Sequence, residues 1–114
     1  MEFDHFTVVL LELRPDAPQL DDTAATALQD AHLDHLAKLH EQGHVLAAGP
    51  LDDPLFRGLT VLRTTPEEAR RLKEADPAVQ AGRFVLRIMP WQVPAEAISF
   101  AQTRFPHSVA EVME

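Results

Sequence analysis

Cysteine is absent from this 114-residue chain. That excludes a disulfide framework, a thiolate nucleophile and cysteine-ligated zinc. It agrees with a reducing compartment, and a cytoplasmic location is expected. Tyrosine is also missing, and the only serines are Ser99 and Ser108, neither in the strand-turn-helix setting of a nucleophile elbow. Acyl-enzyme chemistry therefore has little to work with. The four glycines form no GxGxxG or phosphate-loop pattern. Neither a nucleotide cofactor nor a haem is expected, and the protein is read as cofactor-free. Basic residues are scarce: ten Lys and Arg face eighteen Asp and Glu, for a net charge of −8 at pH 7. The densest basic cluster is Arg70, Arg71 and Lys73, which reads as the solvated face and closing turns of a helix. No basic stripe exists to neutralise phosphates, so no nucleic-acid partner is expected. The longest apolar run, Val8–Leu11, is far too short to span a membrane. The opening MEFDHFTVVLLELRPD has no basic n-region and is interrupted by acids, so no secretory signal is expected there.

What is present suffices for a core. Hydrophobic residues make up 46% of the chain, and the length suits one domain. Phe3–Leu13 reads as a first strand, broken by Pro15, Asp16 and Pro18. A helix over 22–42 follows, capped by Asp22 or Thr23 and stopped by Gly43. His44–Ala48 and Gly58–Arg63 read as the second and third strands. Thr65-Pro66-Glu67-Glu68 is a helix start: a capping threonine, a proline at the first helical position and a glutamate able to complete a capping box. This second helix runs to about Ala75. Asp76-Pro77 then suits the start of one further turn, to Ala81. Phe84–Met89 is the fourth strand, closed by Pro90, Trp91 and Pro94. The domain is placed at residues 1–94. Residues 95–114 are a tail whose first half has helical character.

The order β-α-β-β-α-β is α+β, the ferredoxin-like split arrangement with a four-stranded antiparallel sheet. The first, second and fourth strands offer apolar side chains to both faces, as in Val8-Val9-Leu10-Leu11 and Val45-Leu46-Ala47-Ala48. An antiparallel sheet with one wet face would alternate. A second copy of the chain is the expected cover, making a homodimer.

One histidine stands where a leucine would be unremarkable. At ~100° per residue, Ala25, Leu28, Leu36 and Leu39 fall within about 40° of His32. His32 thus lies in the middle of the buried stripe of the first helix. Burying a group that titrates near neutral pH is unfavourable unless its ring is bonded. Two readings follow: a core histidine bonded to a backbone carbonyl, or the working group of a pocket under the helix. His35 is three residues on and shares that face. Glycine at Gly49-Pro50 lets backbone approach a ligand closely, or simply turns the chain. Asp76 before Pro77 can be a helix cap, and can also orient another group if one oxygen is spare.

The stretch AHLDHLAKLHEQGHVLAAGPL, Ala31–Leu51, followed by ADPAVQAGRF, Ala75–Phe84, resembles the YciI-like (YCII-related) family. The matching positions are His32, Gly43, Ala48-Gly49-Pro50, Asp76-Pro77 and Ala81-Gly82, with Pro90-Trp91 similar to the family's closing motif. The resemblance covers roughly residues 3–91. It implies a dimeric α+β barrel of two ferredoxin-like subunits, a small-molecule pocket, and a His32–Asp76 pair as catalytic group. In many members an arginine stands three residues before the histidine; here that position is Gln29.

A His–Asp pair is an acid–base device, worth about 10²–10⁴-fold in proton transfer. The expected function is a cofactor-free enzyme of lyase, isomerase or hydrolase type acting on a small organic molecule. His32 and Asp76 would be catalytic, with Gly49, Pro50 and His35 binding substrate. The alternative is a non-catalytic metabolite-binding or accessory dimer. His32, His35 and Asp76 also have the ligand types for a divalent ion, but no HExxH pattern occurs, and no metal is expected.

Overall fold

A computed structural model describes residues 1–114. In chain order the elements are β1 (Phe3–Leu13), α1 (Asp22–Glu41), β2 (Val45–Pro50), β3 (Phe56–Leu62), α2 (Pro66–Glu74), α3 (Pro77–Gln80), β4 (Phe84–Pro94) and α4 (Val109–Val112). The four strands form one sheet in the order β2-β3-β1-β4, with every neighbouring pair antiparallel. This is the ferredoxin-like α+β arrangement. No helix is long and apolar enough to cross a membrane.

Period-two alternation along β1 sorts its side chains between two environments. Val9 and Leu11 join Leu62, Leu86 and Val45 beneath Leu39 of α1 and Ala69 of α2. Each fully buried aliphatic side chain there contributes roughly 1.5–3 kcal/mol relative to exposure. On the opposite face Phe6 packs with Val61 and Val93, and Ile98 and Phe100 of the tail close over them. The rest of that face is open and mostly apolar, with an Arg87–Glu12 ion pair at its far end. Val8 and Leu10 of β1 pair with Val61 and Leu59 of β3, while Met89 and Trp91 of β4 stay 42% and 39% exposed.

Several boundaries differ from the sequence reading. The cap of α1 is Asp21, one residue earlier than expected; its Oδ1 accepts from the Ala24 amide at 2.8 Å. Gly43, at φ 85°, takes the left-handed position that ends the helix. Thr65 caps α2, its hydroxyl accepting from Glu68 N at 3.2 Å, and Pro66 opens it. The second strand runs from Val45 to Pro50 and the third from Phe56 to Leu62, each displaced slightly from its expected span. The fourth strand does not stop at Met89. It continues through Pro90 and Trp91 to Pro94, paired with β1 along its whole length. Proline is admitted because β4 is an edge strand, where a residue without an N–H breaks no second ladder.

The tail also departs from expectation. Its first half is not helical. Ala95 N donates to Glu2 O at 2.9 Å and Glu96 N to Asp4 Oδ2 at 3.0 Å. Glu96 adopts φ 67°, the one left-handed non-glycine residue, and the turn carries Ile98 and Phe100 back over Phe6. The tail's only helix is α4. Its approach is fastened to α1: Phe105 stacks on His40 at 3.8 Å, and the Val109 amide donates to Asp30 Oδ1 at 2.7 Å. The His107 ring lies between Asp34 and Glu41, 2.7 Å from each.

Candidate active site

Asp76 occupies the second place of the two-residue corner between α2 and α3. Pro77 fixes the first position of α3, and Asp76 is its cap, with Oδ1 accepting from Ala78 N at 2.9 Å. One oxygen is thereby used and one is spare. The spare Oδ2 lies 2.6 Å from Nδ1 of His32, midway along α1. The cap and the orienting carboxylate are the same group, and each task has its own oxygen. Asp76 is fully buried, whereas the His32 side chain remains 12% exposed.

An ionised carboxylate only accepts, so Nδ1 carries the hydrogen of this bond, and the neutral ring keeps its lone pair on Nε2. Nε2 has no protein partner. The one sealed side-chain polar atom without a bond is Thr64 Oγ1, so Nε2 is open to solvent. Burial alone would push the Asp76 carboxyl up. The His32 hydrogen bond, the charges of His32 and Lys73 and the Ala78 amide together outweigh it and hold the carboxyl below the usual carboxylate range.

The third charge in this cluster corrects the sequence reading of Lys73 as part of a solvated face. Arg70 and Arg71 are exposed, but Lys73 is 0% exposed. It lies one turn after Ala69, on the stripe of α2 that faces the sheet, and its Nζ donates to Thr60 Oγ1 of β3 at 3.4 Å. Burial pushes its pKa down, and the Asp76 charge opposes that. Sequence reasoning missed it by assigning every charge to water. The signal was its helical spacing from Ala69.

The other expected site residues are scattered. His35 does not join the pair: its Nε2 is bonded to the Leu72 carbonyl at 3.0 Å. Gly49 and Pro50 lie at the end of the edge strand β2. No three His, Asp or Glu side chains converge on a point that could hold a metal ion. Beside the pair, a cleft of about 610 Å³ opens under the first turns of α1. Leu28 and Gln29, one turn before His32, line it, as do Ala78, next to the cap, and Leu13, Leu20 and Arg83. The wall itself includes neither His32 nor Asp76, nor His35, Gly49 and Pro50. Arg83 is the only cation in that wall, and no carboxylate lines it. Its guanidinium lies 5.1 Å from the centre of the Phe84 ring, within cation–π range.

A family model described as the YCII-related domain matches residues 6–92. No curated protein matches the chain. Among solved structures, the fold is similar to that of a 5-chloro-2-hydroxyhydroquinone dehydrochlorinase from Burkholderia phenoliruptrix, in complex with 2,5-dihydroxybenzoquinone. The TM-score is 0.59 at 18% identity, over 75% of this chain and 92% of that one. At that identity the likeness is one of fold.

Proposed function

The chain belongs to the YCII-related family, and on that footing we propose that it is a small-molecule enzyme of lyase, isomerase or hydrolase type, with His32 as its acid–base group. One observation carries the reading. His32 Nδ1 is bonded at 2.6 Å to a wholly buried carboxylate, while Nε2 is left free, one helical turn from Leu28 and Gln29 in the wall of a cleft. Asp76 holds the ring and its tautomer. Nε2 takes a proton from an acidic C–H or O–H of the substrate, or from water, and returns it to the leaving or rearranged group. No cofactor enters this scheme. The cleft's apolar wall and lone guanidinium suit a small ring compound bearing an anionic oxygen, with Arg83 pairing that oxygen. Arg83 would then supply the positive charge that Gln29 does not. The open sheet face, with Met89 and Trp91 at its surface, suits packing against a second copy of the chain.

The fold neighbour binds a small dihydroxylated ring, which makes 2,5-dihydroxybenzoquinone a sensible first probe. NMR titration should move the His32 ring signals of the wild type. Arg83→Gln should weaken binding about tenfold, equivalent to ~1.4 kcal/mol. With a panel of hydroxylated and halogenated rings as substrates, His32→Gln should lower any turnover by about 100-fold or more. Binding without turnover across the panel would favour a metabolite-holding module. Failure of any anionic ring to perturb His32 would overturn the assignment of the cleft.

A further inference from the structure

We infer that Lys73 is a positioning residue of this site: its buried ammonium, bonded to Thr60, offsets the charge of the equally buried Asp76 three residues on, and so weakens the pull of that carboxylate on a second proton at His32. The inference rests on the acid–base reading of His32 and adds what sets its basicity.

Lys73 leaves the last turn of α2 and ends under the helix layer, with no exposed surface. An ammonium has three N–H donors, and the one protein bond made by Nζ is the long contact of 3.4 Å to Thr60 Oγ1. A lone buried cation is strongly unfavourable. The opposite charge acting on this one is Asp76, three residues on and also fully buried. The charged group that acts on it is Asp76 at the α2–α3 corner; of the α1 histidines, His32 is bonded to Asp76 and His35 to the carbonyl of Leu72, the residue before Lys73. Complete burial also rules Lys73 out as a nucleophile that forms an imine with substrate, since no substrate atom reaches Nζ.

The charge count then decides the histidine's state. A carboxylate alone behind Nδ1 stabilises the imidazolium and ties up the lone pair on Nε2. A carboxylate already balanced by an ammonium attracts a third proton much less. With His32 neutral, the buried cluster carries no net charge; with His32 protonated, it carries +1 in a low-dielectric setting. Asp76 keeps its orienting bond in both cases. Lys73 therefore separates two tasks that a bare His–Asp pair confounds, holding the ring in place and raising its proton affinity.

The test is an NMR titration of the His32 ring in wild type and Lys73→Met, which fills the same space without charge. Loss of the ammonium should raise the His32 pKa by about one unit, a tenfold gain in proton affinity. The acid limb of any pH–rate profile should move up by the same amount. An unchanged titration in a folded Lys73→Met protein overturns the proposal. Should that variant not fold, the ¹³Cε shift of Lys73 in the wild type decides the matter. An ammonium at pH 7 supports the coupling, and a neutral amine refutes it. These readings need no substrate, so they stand apart from the search for turnover. A missing pKa shift beside intact catalysis defeats Lys73 alone, while a shift without any turnover defeats the enzyme reading alone.

Discussion

Removing the Asp76 carboxylate tests the site and the fold together. Asp76→Ala takes away the cap of α3, the partner of His32 Nδ1 and the counter-charge of Lys73 at once. Asp76 is fully buried, and deleting it leaves the Ala78 amide, His32 Nδ1 and the buried Lys73 charge without their partner, a loss of about 3–5 kcal/mol by analogy with removal of a buried counter-charge. Release of a proton by Lys73 would keep the loss toward the lower end. For a chain of this length 1 kcal/mol moves Tm by roughly 4 °C, so Asp76→Ala should lower Tm by about 12–20 °C. Asp76→Asn keeps an oxygen for the Ala78 amide but no charge, and should lose about 1.5–3 kcal/mol. The sign of the pH dependence follows from the lowered carboxyl pKa. Its contribution is present above the ordinary carboxylate pKa and fades as pH falls through the folded value, so the gap between wild type and Asp76→Asn should narrow in acid. Thermal unfolding, with reversibility checked and all variants at one protein concentration, measures each quantity. An Asp76→Ala protein within about 1 kcal/mol of wild type, a small change by the ordinary spread of mutant effects, would refute the paired, buried carboxylate.

Two further outcomes follow from other parts of the molecule. The hydrogen bond with Asp34, that with Glu41 and the charges of both raise the His107 pKa, so its latch is complete below the ordinary imidazole pKa and loosens as pH rises through the raised one. A neutral ring has one N–H and cannot donate to both carboxylates. The methyl signals of Val109 and Val112 should therefore broaden or shift between about pH 6 and about pH 9, and His107→Gln should remove that dependence; an invariant spectrum would contradict the latch. On the open sheet face, Met89→Asp should convert a dimer to a monomer in sedimentation at micromolar concentration, and a monomeric wild type would leave that face without its proposed partner.

Much of the architecture was legible because its signals are local. Gly43 ends α1, Thr65-Pro66 starts α2, and Asp76-Pro77 starts α3, each through the chemistry of one or two residues. The pairing of His32 with Asp76 needed more, since 44 residues separate them. The helical stripe placed His32 toward the interior, and the family resemblance supplied the partner. What was not legible depends on contacts distant in sequence. Pro90 and Pro94 look like stops until β4 is seen at the edge of the sheet. Ala95–Phe100 has helical composition, but Phe100 packs edge-on against Phe6 at 5.5 Å, and that contact needs the turn at Glu96. Lys73 looks solvated because its stabilising charge sits across a helix corner. His35 shares the face of His32, yet it meets a carbonyl of α2 before it can meet a ligand.

The double duty of Asp76 bears on how this fold changes over time. A descendant that abandoned the chemistry would be free to lose His32, whose ring closes no backbone gap. It would not be free to lose the aspartate, because the Ala78 amide and the turn behind Pro77 depend on it. In this chain the aspartate at the corner between α2 and α3 is accounted for by the helix turn alone, and says nothing by itself about turnover. The histidine opposite it is the character to read, together with the lysine beneath. A chain that keeps all three preserves a charge arrangement that the helix turn alone does not require.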